Sequence, residues 1–137
     1  MRIHMLALND VFDTGLSALL DTFSTANELA ESAGTASARF DVTVIGVRPR
    51  VRTSQGLSVP VRSAMRLARP DVVLVPALGS KMPETLRVRL QRRDILDTHA
   101  LLRRWSDSGT LVGAACTGTF VLAGTSLLDG QRATTSW

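Results

Sequence analysis

One cysteine, Cys116, stands in the run Gly113-Ala114-Ala115-Cys116-Thr117-Gly118-Thr119-Phe120. Small residues crowd both sides of it. The apolar run before it reads as a strand, and Thr117 to Thr125 reads as a helix, with no spacer between them. This is the arrangement of a nucleophile elbow, which thrusts its side chain out at the carboxyl end of a sheet, where open α/β sheets bind ligands. The helix terminus beneath lends positive potential and free N–H groups, a setting in which a thiol becomes nucleophilic. Gly118 permits the close backbone approach that such a turn needs. A free cysteine is also commonly a small, inert, buried hydrophobe, and spacing alone admits both readings.

The elements that must position Cys116 follow from the rest of the chain. Arg2 to Leu8 reads as a first strand ending at Asn9-Asp10. Asp13-Thr14-Gly15 opens a helix whose Leu16, Leu19, Leu20, Phe23 and Ala30 share one face, and Gly34 closes it. Phe40 to Val47 is rich in β-branched residues and reads as a second strand. Val51–Thr53 and Leu57–Val59 form a small hairpin turning at Gly56. Asp71 to Val75 is a continuous apolar run suited to a strand buried on both faces of a parallel sheet, and Pro76 follows it. Lys81 to Leu90 reads as a loop with a short helix. Asp94 to Ser108 is a clearer helix with Ile95, Leu102 and Trp105 inward and Gly109 after it. Thr110 to Ala115 reads as another buried strand, Leu127 to Gly130 as a turn, and Arg132 to Thr135 as the start of one more strand. Strands alternating with helices imply an α/β domain with a mostly parallel sheet between helical layers.

The chain has 137 residues, which suits one domain spanning 1–137. It stops at Trp137 just as a new strand is expected, which would leave an open edge, so truncation at the C-terminal end is the expectation. No apolar run is long enough to span a bilayer, and Met1-Arg2-Ile3-His4 does not open a signal peptide. With one cysteine there is no internal disulfide, which favours a reducing compartment, so the expected setting is cytoplasmic.

The net charge of +4 is carried almost wholly by arginine, Lys81 being the sole lysine. A basic surface attracts phosphates. The arginines are dispersed, however, and not interleaved with aromatics: Arg48, Arg50 and Arg52; then Arg62, Arg66 and Arg69; then Arg87, Arg89, Arg92 and Arg93. That dispersal favours solvated faces over a nucleic-acid surface. No set of His, Cys or acidic residues has metal-ligand spacing. Gly113-x-x-x-x-Gly118 is followed by Thr119-Phe120 and not by Lys-Ser/Thr, so it is no phosphate loop. No metal or other cofactor is expected.

The segments Ala114-Ala115-Cys116-Thr117-Gly118-Thr119-Phe120-Val121-Leu122-Ala123 and Leu127-Leu128-Asp129-Gly130-Gln131-Arg132-Ala133-Thr134-Thr135 resemble the ThiJ/PfpI superfamily. The nearer likeness is to the N-terminal domain of GlxA-like regulators of the AraC transcription-factor family. Phe12-Asp13-Thr14-Gly15 through Phe23 and Asn27 is similar to that family's first helix, and Asp71 to Gly79 to its central strand and loop. The resemblance implies a flavodoxin-like three-layer sandwich of the class I glutamine amidotransferase-like type. It also implies a sensory or dimerising role, a small-molecule effector and a homodimer. DNA would be bound only through a C-terminal pair of helix-turn-helix units not in this chain.

Carried over residue by residue, Cys116 matches the elbow cysteine and Asp13 the family's acidic position, where a protonated carboxyl would hydrogen-bond the thiolate. Asp13 suits a helix N-cap equally well. Ser136 stands where many relatives have His, and a serine is no general base near neutral pH. Ala77 and Leu78 replace a frequent Gly-Gly, and their N–H groups with that of Thr117 are expected to form an anion nest. The candidate ligand-binding set is therefore Asp13, Ala77, Leu78, Cys116, Thr117 and Ser136. His4, inside a strand, and His99, inside a helix, are expected to be packing or surface residues. Three functions follow: a ligand-sensing regulator domain, a hydratase-, hydrolase- or glyoxalase-like enzyme using Cys116 and Asp13, and a redox-sensing domain. The missing histidine places the regulator first.

Overall fold

Arg2–Leu6 forms strand β1, which is buried after its first residue because it lies between two neighbours and beneath helices on both faces. The computed structural model describes residues 1–35, 39–80 and 82–136. β1 pairs in parallel with β2 (Asp41–Gly46), from Arg2 opposite Asp41 to Leu6 opposite Ile45. On its other side it pairs in parallel with β6 (Val72–Val75), Ile3 lying opposite Val72. β7 (Leu111–Ala114) extends the sheet beyond β6, and the two-residue β5 (Arg62–Ser63) extends it beyond β2. The order is β5-β2-β1-β6-β7, parallel throughout. The chain departs from β1 to one side, then returns across it to build the other. The loops after β1 and β6 thus flank the point where strand order reverses, the usual place for a ligand in such a sheet.

Two apolar clusters hold the layers. On one face, Met5, Ala7 and Val11 pack with Leu16, Leu19, Leu20 and Phe23 of α1 (Asp13–Ser32). On the other, Leu6, Ile45, Val73 and Val75 pack with Leu86 of α2 (Pro83–Leu90) and with Ile95, Leu102 and Trp105 of α3 (Arg93–Asp107). Val121 and Leu122 of α4 (Gly118–Ala123) join that second cluster. The result is the three-layer flavodoxin-like architecture. Asn27 fastens α1 to the start of β2: its amide donates to the Phe40 carbonyl and its oxygen accepts from the Phe40 N–H, both at 2.9 Å.

The expected hairpin forms as β3 (Val51–Arg52) and β4 (Ser58–Val59), antiparallel, with Gly56 at φ 86° in its turn. Two expectations need correction. β7 is not a strand buried on both faces: it is the outermost strand among the described residues, and Leu111 is 67 % exposed. Its run of small apolar residues looks like a core strand although little covers it. Residues 132–136 form no strand and instead run back over the elbow, where their hydroxyls bond to Cys116. β5 and the 3-10 turn that follows it (Ala64–Arg66) are not among the elements expected from the sequence.

Candidate functional site

Cys116 sits directly after β7 with φ 53°, the left-handed region that a side-chain-bearing residue rarely adopts, and its thiol is exposed. Such strain persists where the surrounding structure holds it. Two features hold it here. The chain reverses at once into the turn that starts α4, the Gly118 N–H donating to the Ala115 carbonyl at 2.9 Å. Gly118 itself lies so close to β6 that a Cβ there would sit 2.4 Å from the Val75 oxygen and 2.6 Å from the Pro76 oxygen. Thr117 is buried, and its hydroxyl spans the neighbouring loop, accepting from the Leu78 N–H at 2.9 Å and donating to the Leu78 carbonyl at 2.8 Å. Two hydroxyls close over the cysteine. Ser136 Oγ lies 2.8 Å from Cys116 Sγ, and Thr135 Oγ1 donates to the Cys116 carbonyl at 2.9 Å.

The structure thus brings Cys116, Thr117, Leu78 and Ser136 together. Ala77 is buried beside Leu78, its carbonyl accepting from the Phe12 N–H at 2.8 Å. The expected nest of three N–H donors is changed, because the Leu78 N–H is taken by the Thr117 hydroxyl.

Asp13 is the first residue of α1, and Phe12 occupies the cap position without a side-chain cap bond. Its carboxylate accepts from Ser54 Oγ at 2.9 Å and from the Gln55 N–H at 3.2 Å. Hydrogen bonding by the hydroxyl of Thr53, then by Ser54 and the Gln55 N–H, holds the Asp13 carboxyl below the usual carboxylate range, outweighing desolvation. The bonds from Ser54 and Gln55 both fall on Oδ2, while Oδ1 is buried without a hydrogen-bond partner among the described residues. The bonds to Ser54 and Gln55 lie 41 and 42 residues away in sequence, and nothing local announces them.

The same hairpin turn is fastened further. The Ser54 N–H donates to the Val11 carbonyl at 2.9 Å, the Asp10 N–H to the Arg52 carbonyl at 2.8 Å and the Gly79 N–H to the Asp10 carbonyl at 2.7 Å. A Cβ on Gly79 would sit 2.2 Å from that of Ser54, so the two loops meet without room to spare.

Neither histidine joins the cysteine through any bond described. His4 is buried in the core with its ring 5.6 Å from that of Trp105. His99 lies under α4, where a Cβ on Gly124 would meet its Cε1 at 2.6 Å. Burial, then nearby arginines (Arg2 and Arg62 for His4, Arg103 for His99), lowers both imidazoles below their ordinary range. Thr135 is outside the candidate set expected from the sequence, where it was placed in a strand; its position beside Ser136 was the available signal.

The sequence pattern of the DJ-1/PfpI family matches residues 1–137. The chain belongs to this family. A DJ-1/PfpI domain accounts for the parallel sheet, the cysteine elbow and the reversal of strand order beside it. The chain is 29% identical over 136 residues to an uncharacterized protein in the cpoL 5' region of Streptomyces lividans, covering 99% of this chain and 87% of that protein. Among solved structures it is similar to an AraC family transcriptional regulator from Pseudomonas putida, with a TM-score of 0.72 and 21% identity, over 95% of this chain and 63% of that one. It is similar also to oxidized DJ-1 of Toxoplasma gondii, with a TM-score of 0.66 and 21% identity, over 98% of this chain and 66% of that one. The DJ-1/PfpI domain therefore spans less than two thirds of the length of the regulator. Among its described residues no helix is long and apolar enough to cross a membrane.

Proposed function

We propose that this DJ-1/PfpI domain is the ligand-sensing and dimerising part of a cytoplasmic AraC-family transcription regulator, whose DNA-binding residues lie outside this chain. The observation that carries the reading is the company of Cys116: its thiol contacts the Ser136 hydroxyl, not an imidazole, and the Asp13 carboxylate is bonded to the hairpin turn. A serine hydroxyl beside the thiol is no general base near neutral pH, and the pair is better suited to recognising a ligand than to turnover. The likeness to the Pseudomonas putida regulator is a second, associational support. The effector is a small metabolite that meets Cys116, Thr117, Ser136 and the 77–78 loop, and its binding shifts the balance between regulator conformations.

The test uses the intact protein encoded by the complete reading frame. Cys116→Ala is expected to keep specific DNA binding in an electrophoretic mobility assay while altering or removing the response to effector. A folded, dimeric Cys116→Ala protein that no longer binds DNA overturns this reading. Turnover of a reactive carbonyl compound that Cys116→Ala abolishes would instead favour an enzyme with Cys116 as nucleophile.

A further inference from the structure

Arginines dispersed in the sequence are gathered in space at a second place. Arg48 and Arg50, on the β2–β3 connection, face Arg92 and Arg93 at the start of α3 across an open cavity of about 450 Å³, with Asn9 and Asp94 in its wall. Arg92 is held from three sides: its guanidinium donates to the Asn9 carbonyl at 2.7 Å, to Asp10 at 2.5 Å, and to both oxygens of Asp94 at 3.1 and 2.9 Å. Arg48 donates to Asp97 at 2.6 Å, and Arg93 lies 3.4 Å from the same carboxylate. These carboxylates stiffen the cations without cancelling them. Arg89 pairs with Asp10 as well, so five guanidiniums (Arg48, Arg50, Arg89, Arg92, Arg93) meet three carboxylates (Asp10, Asp94, Asp97), an excess of two positive charges.

Donors are also in surplus. A guanidinium carries five N–H groups and no acceptor. Arg50 enters none of the ion pairs among the described residues. Arg89 Nη1, in the same network, is buried without a hydrogen-bond partner. Arg48 and Arg92 are held in place by carboxylates, Arg50 keeps its donors outside those ion pairs, and an excess of two positive charges beside them suits a planar or tetrahedral oxyanion.

We infer that this arginine cluster is a binding subsite for a doubly charged oxyanion group, such as a phosphate monoester or a pair of carboxylates on a small molecule. It is formed by the loop after β1, the β2–β3 connection and the first turn of α3, so it does not depend on Cys116 or on the regulator reading. The open cavity makes binding weak and sensitive to ionic strength.

Inorganic phosphate and malonate, each titrated against chloride at equal ionic strength, test it by calorimetry and by the shift in Tm. Saturable binding by either is expected, phosphate alone pointing to a phosphoryl group and malonate alone to a dicarboxylate. Arg50→Gln should weaken it by about fivefold, the loss of one exposed charge-assisted contact. Arg50→Lys, which keeps the charge and loses the fork, should recover part of that loss. Arg104→Gln, the same charge change at the exposed far end of α3, should leave binding intact, as should alkylation of Cys116. No binding of either anion beyond that of chloride overturns the inference, and so does an equal loss in Arg104→Gln, which would mark mere attraction to a basic protein.

Discussion

The loops around Asp13 and the elbow around Cys116 lie at the same end of the sheet and are built by opposite means. Around Asp13, three segments distant in sequence are bound to one another by backbone hydrogen bonds, by the carboxylate itself and by the near-contact of Gly79 with Ser54. Around Cys116, a single exposed residue in a strained conformation is touched from above only by Thr135 and Ser136 in the bonds described. The difference is one of construction: the Asp13 carboxylate is engaged by the hairpin turn, whereas the Cys116 thiol is exposed.

The strongest challenge to that contrast is the base of the elbow. Gly118→Ala should cost about 3 kcal/mol, since a methyl there meets the backbone oxygens of β6, and chemical unfolding followed by circular dichroism would read it. A neutral result would mean that the elbow adapts and is not clamped. Next, Asp13→Ala should lower the midpoint of unfolding while leaving the alkylation rate of Cys116 unchanged. The opposite pattern, a changed rate at constant stability, would make Asp13 the thiol's partner.

The histidines give a pH test of the frame beneath both regions. Burial lowers His4 and His99, so the folded protein binds fewer protons than the unfolded chain just below the ordinary imidazole value of about 6.5. Their contribution is complete above that value and is lost as pH falls through the lowered folded values. Stability should therefore decline from pH 7.5 towards pH 5, and His99→Gln should flatten the decline.

Smaller effects isolate the elbow. Cys116→Gly should stabilise the protein by about 1 kcal/mol by removing a left-handed side chain. Unchanged stability would mean the conformation carries little strain. Ser136→Ala should leave unfolding untouched and alter only the alkylation rate of Cys116, measured with iodoacetamide.

These contrasts also explain what the sequence revealed. β1 was legible as a strand ending at Asn9-Asp10, β6 from its continuous apolar run, although its Val72 and Leu74 are only half-buried, and α3 because Ile95, Leu102 and Trp105 keep helical spacing up to Gly109, which stands at φ 88°. β5 was not, since two exposed residues, Arg62 and Ser63, carry no period. The run from Thr110 to Ala115 misled because small apolar side chains read alike at the centre and at the edge of a sheet. Threonines 134 and 135 suggested a strand by β-branching, yet the Thr135 hydroxyl is used on the Cys116 carbonyl. The elbow was visible because its requirements are local. The binding of Asp13 to the hairpin and the gathering of arginines were not, because each depends on contacts dozens of residues apart.

The central position of β1 has a consequence for how the molecule comes into being. β1 is synthesised before both of the strands that flank it, and one of them, β6, is completed only much later. Already at its first residue the Arg2 N–H bonds to the Asp71 carboxylate, 69 residues away. Loops of that span close slowly, and parallel pairing gives no local hairpin to hasten it. Until β6 emerges, the apolar side chains of Ile3, Met5 and Leu6 have no complete place to bury themselves. During synthesis the core strand of the finished sheet is thus open to aggregation and to chaperones until its second neighbour is made.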